Sequence, residues 1–193
     1  MTTRLCDLAE KYGSDKVASI FHGYTPFYDE LLRDRPVKRV LEIGIGTPNS
    51  MCHMEKYEVG ASLRMWRDYF PEAQIWGLDN DVSAMLDPSP RINTMFCDQS
   101  SEESLLRVAS ALGERFDLII DDGSHQYLHQ ALTANIFIPR LLAKGGVYVI
   151  EDVMYRQELY AMLPFPVEVK IFNLGRTWDD CMFYVEGRNV VGL

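Results

Sequence analysis

Apolar and polar residues alternate along this chain with two periods, one typical of strands and the other typical of helices. Short apolar runs bounded by Gly, Asp or Asn have the pattern of buried parallel strands, and they lie at residues 39–43, 74–78, 92–97, 116–121 and 146–150. Between these runs, apolar residues recur at helical spacing at residues 62–69, 102–112 and 126–142. This alternation predicts right-handed crossovers and a Rossmann-like α/β fold, with a parallel sheet covered by helices on both faces.

The two ends of the chain depart from this alternation. Residues 5–13 and 25–34 have the amphipathic pattern of helices that precede the sheet. Near the other end, residues 167–175 and 179–187 predict two strands joined by a short turn at 175–179, and so short a connection most easily gives an antiparallel pair. We therefore expect a seven-stranded, mostly parallel sheet that finishes in an antiparallel C-terminal strand pair.

Composition favours a single domain without a linker. The chain has 193 residues, of which 47% are hydrophobic, and this is ample for one buried core. We expect one domain over residues 1–193, with a helical cover at 1–36 and a Rossmann-like core at 37–193. The cysteines are scattered and form no CxxC pair, which disfavours a disulfide framework or a zinc site.

Charge and hydropathy limit the partners of the chain. A formal net charge of -9 would repel a phosphate backbone, and no Lys/Arg cluster offers a binding stripe, so we expect no nucleic acid partner. The sequence opens without a basic-then-apolar signal segment, and no uncharged stretch approaches the length of a membrane span. We expect a cytoplasmic protein without a membrane partner.

Two of the apolar runs end in adjacent acidic residues. The run FDLIIDDGSH closes in Asp121 and Asp122, followed by His125, and the run GGVYVIED closes in Glu151 and Asp152. The carboxyl ends of parallel strands meet at one edge of a sheet, where open α/β folds bind their ligands. These side chains are therefore expected to converge, although an Asp-Gly pair can also simply form a tight turn.

A glycine-containing turn follows the first predicted strand. In RVLEIGIGTP, Glu42, Gly44 and Gly46 are spaced so that the backbone can approach a ligand closely. The motif departs from the G-x-G-x-x-G dinucleotide fingerprint, because Asn49 stands where the third glycine would fall and the next helix is delayed to about Ser62. A pyrophosphate binds near a helix N-terminus, so NAD is disfavoured and a cofactor without phosphates fits better.

The next two predicted strands also end in polar residues. Asp79, in GLDND, can accept hydrogen bonds from both hydroxyls of a ribose, or it can form a strand-end turn. Asp98 and Gln99, after INTMFC, can bind an adenine edge, or they can cap the helix that begins near SEESLL. Both interpretations stay open for each residue.

Taken together, the strand-end motifs EIGIG, GLD, CDQ, IDDGSH and IED resemble those of class I S-adenosylmethionine-dependent methyltransferases. More narrowly, the chain resembles the metal-dependent sugar O-methyltransferases of macrolide biosynthesis, of the mycinamicin and tylosin type, and related enzymes of polysaccharide pathways. The resemblance extends from KYGSDK and HGYTPFY through GASLRMWRDYFPEAQIWGLD to GGVYVIED. It implies S-adenosylmethionine and Mg²⁺ as cofactors, with Mn²⁺ as an alternative ion, and a sugar hydroxyl of a glycan or glycosylated natural product as the acceptor.

The resemblance also implies a role for individual residues. The cofactor is expected to be bound from the strand ends and from the N-terminal cover, by Glu42, Gly44, Gly46, Asp79, Asp98, Gln99, Asp121 and Tyr24. Magnesium is expected to be bound by three carboxylates, those of Asp122, Glu151 and Asp152. His125 is the expected base, with Asp122 beside it at the catalytic centre. The segments at 46–60 and 154–163 are expected to form the substrate lid with the N-terminal helices.

The chemistry of methyl transfer to a sugar explains why these residue types are needed. A sugar hydroxyl is too weak an acid to give useful alkoxide at neutral pH, and a hard divalent ion held by carboxylates stabilises the developing negative charge. Two neighbouring hydroxyls could chelate such an ion, so a vicinal diol is the natural acceptor. A neutral histidine, with an unperturbed pKa of about 6.5, can take the hydroxyl proton. His125 could instead make a structural hydrogen bond at a helix N-terminus.

Three other functions stay open. An RNA 2'-O-methyltransferase would use the constellation of Lys16, Asp121, Lys144 and Glu151, but the net acidity of the chain argues against it. A catechol-type enzyme differs only in using an aromatic diol, and a catalytically idle Rossmann domain would bind nucleoside and serve as an interaction module. Relatives of this kind often form oligomers in which a neighbour completes the pocket, so the resemblance is compatible with a homo-oligomer.

Overall fold

The computed structural model describes residues 2–52, 54, 57–87, 89–172 and 181–193. The strands in this part of the chain are β1 (Arg39–Ile43), β2 (Gln74–Asp79), β3 (Ile92–Phe96), β4 (Phe116–Asp121), β5 (Leu142–Ile150), β6 (Glu168–Ile171) and β7 (Cys181–Glu186). The α-helices are α1 (Arg4–Tyr12), α2 (Thr25–Leu32), α3 (Ala61–Tyr69), α4 (Glu102–Leu112), α5 (Tyr127–Leu141) and α6 (Arg156–Met162). The bounds of β1 to β4 agree with the predicted apolar runs to within one residue.

All of these strands form a single seven-stranded sheet, in the order β3-β2-β1-β4-β5-β7-β6. Strands β1 to β5 are parallel, whereas β7 runs antiparallel to both of its neighbours. The predicted Rossmann-like α/β fold, with its mostly parallel sheet and antiparallel C-terminal pair, is confirmed. The strand order reverses between β1 and β4, and open α/β sheets bind ligands in the crevice at such a switch point.

The hydrophobic core lies on both faces of the sheet. Alternate residues of a strand point to opposite faces, so Val40 packs with the α1, α2 and α3 side while Leu41 packs with the α4, α5 and α6 side. The largest side chain on the first face is Trp66, which is fully buried. The prediction that helices cover both faces is confirmed, and the strand ends are held between two packed layers.

The end of α1 brings the N-terminal segment toward the strand ends. Gly13 caps this helix in the left-handed conformation, with φ 69°, and the amide of Ser14 donates to the carbonyl of Ala9 at 2.8 Å. A glycine adopts this conformation without the steric penalty of a Cβ. The chain therefore reverses directly after α1, and Ser14 and Lys16, which follow, are buried.

Two elements differ from the sequence prediction. Strand β5 begins at Leu142 instead of residue 146, because Leu142 is buried and pairs with Phe116 across a register shift in the ladder. Helix α6 was not predicted as a helix; it lies inside the segment 154–163 and buries only Leu159, so its apolar periodicity is weak. The predicted turn at 175–179 lies outside the described residues. Every helix in the described part of the chain is too short or too polar to cross a bilayer.

Candidate active site

A cavity of about 490 Å³ opens at the carboxyl ends of β1, β2, β3 and β4, with residues after β5 on one side. This volume is in the range of pockets that hold small molecules and cofactors. Several of the residues singled out in the sequence line it, namely Gly44, Gly46, Asp79, Asp98, Gln99, Asp122, His125 and Asp152. The expected convergence of the polar strand ends is therefore seen in the structure.

The glycine turn after β1 is locked against the end of β4. Gly44 has φ +89°, and a Cβ on this residue would lie 1.9 Å from the carbonyl oxygen of Asp122. The amide of Asp122 in turn donates to the carbonyl of Ile43 at 2.9 Å. The close backbone approach that the sequence predicts toward a ligand is thus made toward Asp122, so the turn fixes that residue as well as one wall of the cavity.

Asp79 and Asp98 both lie in the cavity wall and also stabilise turns. Asp79 accepts from the amides of Ile45 at 2.9 Å and Gly46 at 3.2 Å, so its carboxylate ties the end of β2 to the glycine turn. Asp98 accepts from the amide and hydroxyl of Ser100 at the start of the α4 region. Both residues therefore form strand-end turns beside the cavity, while the N-cap of α4 is Ser101, whose side chain accepts from the Ser104 amide. Their contacts with a cofactor stay predictions.

Gln99, in the cavity wall, forms a buried pair with Asp121 behind it. The Gln99 amide nitrogen donates to Asp121 at 2.6 Å, while its oxygen accepts from the Ser124 amide at 2.9 Å. Tyr148 donates to the other oxygen of Asp121 at 3.3 Å. Burial raises the pKa of Asp121 to about 7, against the opposing effect of the Gln99 hydrogen bond. As strand alternation predicts, Asp121 lies away from the cavity that Asp122 lines.

Asp122, His125 and Asp152 bring three ligand atoms together. His125 Nε2 lies 3.2 Å from Asp122 Oδ1 and 3.5 Å from Asp152 Oδ2. One ligand atom from each residue lies within 4.8 Å of the other two, a spacing at which a single metal ion can be held. The two carboxylates are hard oxygen donors of the kind that Mg²⁺ and Mn²⁺ prefer, and the His125 imidazole lies directly beside them.

Two residues of this cluster have left-handed backbone conformations. His125 has φ 55° and Asp152 has φ 51°, a region that residues other than glycine seldom adopt. Such a conformation costs about 1 kcal/mol or more, and it persists only where the surrounding structure enforces it. The fold therefore bears a conformational cost at the two places where these side chains turn toward the cavity.

A lysine from the N-terminal segment occupies the space behind Asp122. The Lys16 ammonium lies 2.5 Å from Asp122 Oδ2, 2.6 Å from Glu151 Oε2 and 3.4 Å from Glu42 Oε1. Lys16, Glu42 and Glu151 are each exposed by 1% or less. Glu42 and Glu151, which were predicted to bind the cofactor and the metal ion, thus lie behind the cavity wall and share this one cation.

Aromatic residues of the same segment hold the carboxylates that follow β5. The Tyr28 hydroxyl donates to Glu151 Oε1, and the Tyr24 hydroxyl donates to Asp152 Oδ1. His22 stacks on Tyr24, and its Nε2 lies 3.7 Å from Asp152 Oδ2. Tyr24, a predicted cofactor contact, is fully buried and is not part of the cavity wall. Its position indicates that Tyr24 holds the Asp152 carboxylate in place instead.

Sequence reasoning missed Lys16 and Tyr28 as partners of the site carboxylates. A single lysine in a loop normally has the pattern of a solvated residue, and Tyr28 sits on the apolar stripe of α2, so neither gave a local signal. The resemblance places Lys16 in the N-terminal cover over the cofactor, and the RNA-modifying alternative would combine it with Lys144. In the structure Lys144 is exposed near the start of β5, whereas Glu151 follows the opposite end of that strand. That constellation is not assembled.

Charge within the cluster shifts the pKa of each titrating group. Burial alone would lower the pKa of His125, but the hydrogen bond to Asp122 and the charges of Asp122 and Asp152 raise it to about 9. Burial, together with the charge of Asp122, raises the pKa of Asp152 to about 7. Burial would also raise the pKa of Asp122, but the Lys16 ammonium and His125 outweigh it and hold that pKa well below its usual range.

Comparison with known proteins gives relatives of one kind, although no protein-family profile matches the chain. The enzyme 8-demethyl-8-(2-methoxy-alpha-L-rhamnosyl)-tetracenomycin-C 3'-O-methyltransferase of Streptomyces olivaceus is 42% identical over 149 residues, which are 76% of this chain and 36% of that enzyme. Mycinamicin VI 2''-O-methyltransferase of Micromonospora griseorubida is 40% identical over 151 residues, 77% of this chain and 36% of that enzyme. The chain spans little more than a third of the length of these relatives.

Solved structures agree with these relatives. The MycE methyltransferase of the mycinamycin pathway, in complex with Mg, SAH and mycinamycin VI, matches with a TM-score of 0.75 and 31% identity, over 100% of this chain and 57% of that one. A putative caffeoyl-CoA O-methyltransferase from Staphylococcus aureus matches with a TM-score of 0.60 over 96% of this chain and 93% of that one, but at 13% identity it shows the fold alone. The resemblance inferred from the strand-end motifs is confirmed.

Proposed function

We propose that this chain, which is homologous to the sugar O-methyltransferases of macrolide and tetracenomycin biosynthesis, carries the catalytic domain of a Mg²⁺-dependent O-methyltransferase. The reaction transfers a methyl group from S-adenosylmethionine to a sugar hydroxyl of a glycosylated small molecule. One observation carries the proposal: the cluster of Asp122, His125 and Asp152 opens into the same cavity as the glycine turn after β1. Methyl donor, divalent ion and acceptor hydroxyl can therefore meet in one site.

The cofactor is proposed to lie along the ends of β1, β2 and β3. Gly44 and Gly46 line the cavity with their backbone, and Asp79 stands where it can accept hydrogen bonds from ribose hydroxyls. Asp98 and Gln99 line the next part of the cavity, which suits an adenine edge. Glu42, Asp121 and Tyr24 lie behind this wall, so their proposed contribution is to position the residues that line the cavity.

The donor set in the cavity fits a hard divalent ion. Asp122 and Asp152 are the proposed ligands, because each directs one oxygen toward His125 while a second oxygen is held from behind, by Lys16 and Tyr24 respectively. Glu151 remains a predicted ligand, and its two oxygens accept from Lys16 and Tyr28. A bound Mg²⁺ or Mn²⁺ supplies Lewis-acid stabilisation of negative charge on the acceptor oxygen.

His125 is the proposed base, and its state depends on its two acidic neighbours. With a pKa of about 9 in the metal-free protein, the imidazole is protonated at neutral pH. A base must be neutral, so His125 can accept a proton only when the charges of Asp122 and Asp152 are compensated. The same carboxylates would hold the ion and also set the protonation state of the imidazole.

The acceptor class and the surroundings of the protein belong to the proposal as well. The acidic net charge supports a neutral small-molecule acceptor in place of nucleic acid, and the proposed setting is the cytoplasm, with no membrane partner. A homo-oligomer is compatible with the resemblance, and light scattering of the purified chain measures its assembly directly.

The test is a methyl-transfer assay on the purified chain with S-adenosylmethionine, Mg²⁺ and a panel of acceptors containing neutral glycosides, a catechol and a short RNA. Mass spectrometry should find one added methyl group on a glycoside, and excess EDTA should abolish the transfer. Methylation of only the catechol or the RNA would replace the proposed acceptor class. Turnover that persists in EDTA would contradict the role of the ion.

The assignment of the base is tested by a matched pair of histidine variants. His125→Ala should lower turnover by about 10²-fold or more, because it removes the proton acceptor, and it should leave binding of S-adenosylhomocysteine largely intact. His129→Ala is the control, since His129 also lines the cavity but contacts Ser124 at 2.9 Å and is not part of the cluster. Equal losses in the two variants would remove His125 as the base.

A further inference from the structure

Two cation positions adjoin one another in this site and share a carboxylate. The proposed divalent-ion position lies at Asp122 and Asp152, beside His125. Behind it, Asp122 Oδ2 receives the Lys16 ammonium at 2.5 Å, while Asp122 Oδ1 faces His125 at 3.2 Å. With an ion bound, Asp122 would therefore contact both cations, one with each carboxylate oxygen, as a bridging carboxylate does in a two-metal site.

The surroundings of the ammonium are those of a bound cation and unlike those of an ordinary surface lysine. Lys16 is 1% exposed, and oxygens of three different elements approach its Nζ: Glu42 of β1, Asp122 after β4 and Glu151 after β5. Among the described residues, Glu42 Oε1 makes no hydrogen bond of its own beyond this ion pair. An isolated buried ammonium is very costly, so these oxygens are what keep it there.

We infer that the Lys16 ammonium is the resident second cation of this site and that it limits the site to one divalent ion. The inference rests on the proposed function in one respect, namely that Asp122 and Asp152, which lie beside His125, bind a divalent ion. Lys16 acts as a positioning residue, since it holds Oδ2 of Asp122 and leaves Oδ1 for the cavity. The positive charge that a second metal ion supplies in a two-metal enzyme is here part of the polypeptide.

Shortening the Lys16 side chain should open a second site for a divalent ion. In Lys16→Ala, the oxygens of Glu42, Asp122 and Glu151 would remain around a volume from which the ammonium and its methylene chain have been removed. Three carboxylate oxygens are hard donors of the type that Mg²⁺ and Mn²⁺ prefer, with water completing the coordination. Lys16→Ala should therefore bind a second divalent ion in place of the missing ammonium.

The experiment measures how many Mn²⁺ ions the full chain binds, by calorimetry and by electron paramagnetic resonance. The wild-type protein should bind one ion, and Lys16→Ala should bind two with the spectrum of a coupled pair. The matched control is Lys11→Ala, because Lys11 lies in the same N-terminal segment but is 58% exposed and pairs with a single carboxylate, Asp68. That variant should bind one ion, as the wild type does.

Other results separate this inference from the proposed function. One ion in both the wild type and Lys16→Ala, or two ions in the wild type, would overturn the inference and leave the metal-dependent function standing. No ion in either protein would overturn both. An ion bound by Lys16→Ala alone would support the cation position behind Asp122 while removing metal dependence from the proposed function.

A measurement on the wild type covers the case in which Lys16→Ala does not fold. With ¹⁵N-labelled lysine, a buried ammonium held by carboxylates gives a nitrogen resonance protected from exchange with water. If Lys16 and the divalent ion occupy the site together, that resonance should shift during a Mg²⁺ titration and persist at saturation. Its disappearance on addition of one equivalent of Mg²⁺ would show that the ion displaces the ammonium, and the inference would be wrong.

Discussion

Two lysines of the N-terminal segment, Lys11 and Lys16, show how differently one residue type can act within five positions. Lys11, on the last turn of α1, is 58% exposed and lies 3.3 Å from Asp68 on the neighbouring helix α3. Lys16, just beyond the glycine that ends α1, is 1% exposed and contacts three carboxylates. One charge stays in water, and the other is enclosed by the strand ends.

The comparison teaches that burial, more than the number of ion pairs, decides what a charge does. An exposed pair is weakened by water and salt and contributes about 0–1 kcal/mol. A buried charge that loses its partner costs about 3–5 kcal/mol, because the remaining group can neither return to water nor find another partner. The Lys16 cluster is thus a structural condition for the site, whereas the Lys11 pair is dispensable.

The largest effect on stability is expected from Lys16→Met. It removes the charge but keeps a side chain of similar length, so three buried carboxylates lose their common cation. In EDTA, the free energy of unfolding measured with urea should fall by about 3–5 kcal/mol. The double variant Lys16→Met/Glu151→Gln should recover part of the loss, because it removes one uncompensated carboxylate. A loss below about 1 kcal/mol would place Lys16 in the same class as Lys11.

A second variant asks whether the backbone fixes Asp122 independently of the lysine. Gly44→Ala puts a Cβ into a left-handed residue and against the Asp122 carbonyl, so stability should fall by about 2–4 kcal/mol. Mg²⁺ affinity measured by calorimetry should fall with it, because Asp122 must shift. The control is Gly145→Ala, since an added Cβ there meets no atom within 4 Å. Similar effects at the two glycines would show that the contact with Asp122 does not matter.

The pH dependence of the stability of the metal-free protein is expected to come from His125 and not from Lys16. Burial would lower the pKa of His125, but Asp122 and Asp152 raise it to about 9. A raised histidine pKa contributes stability that is fully present below about 6.5. That stability is lost as the pH rises through about 9. The thermal midpoint in EDTA should therefore decline across this window.

His125→Gln supplies the control for that decline. The glutamine keeps a polar side chain without a titrating proton, so the slope between neutral pH and about 9 should become shallower. Lys16 should add nothing to the slope, because its pKa lies well above its usual value. Burial alone would lower that pKa, but the charges of Asp122, Glu151 and Glu42 outweigh burial and raise it. An unchanged slope in His125→Gln would show that His125 is not protonated as described.

The smallest expected effect belongs to the exposed pair. The hydrogen bond from Tyr12, together with those from Arg67 and Lys11, lowers the pKa of Asp68 to about 2 against the opposing effect of burial. This contribution is present above about 3.9 and is lost as the pH falls toward the lowered value. Asp68→Asn should reduce stability at neutral pH by less than about 1 kcal/mol, measured by urea unfolding, and the difference should shrink in high salt.

The sequence predicted the strands well because their signal is local. Apolar runs such as 39–43 and 116–121 become strands with the same bounds, and the acidic residues after β4 and β5 converge because parallel strands share one edge. The start of β5 was missed because Leu142 belongs equally well to the apolar period of α5. Only its pairing with Phe116 places it in the strand.

The inner part of the site could not be predicted because its partners are distant in the chain. Lys16 meets Asp122 and Glu151 across separations of 106 and 135 residues, and no spacing rule connects them. Tyr28 reaches Glu151 in the same way, from a helix position that an apolar stripe alone explains. The sequence therefore indicates which residues face the cavity more readily than which residues stand behind them.

The left-handed backbone at His125 and Asp152 lowers the stability of the fold at two positions whose side chains the proposed reaction needs. Glycine accepts this conformation freely, so a glycine at either position would relieve about 1 kcal/mol of backbone cost. At His125 the substitution would also remove the ion pair with Asp122. The same substitutions would delete an imidazole and a carboxylate from the cluster. Attempts to raise the thermal stability of this protein should therefore leave both residues unchanged, since the glycine variants would lose the proposed activity.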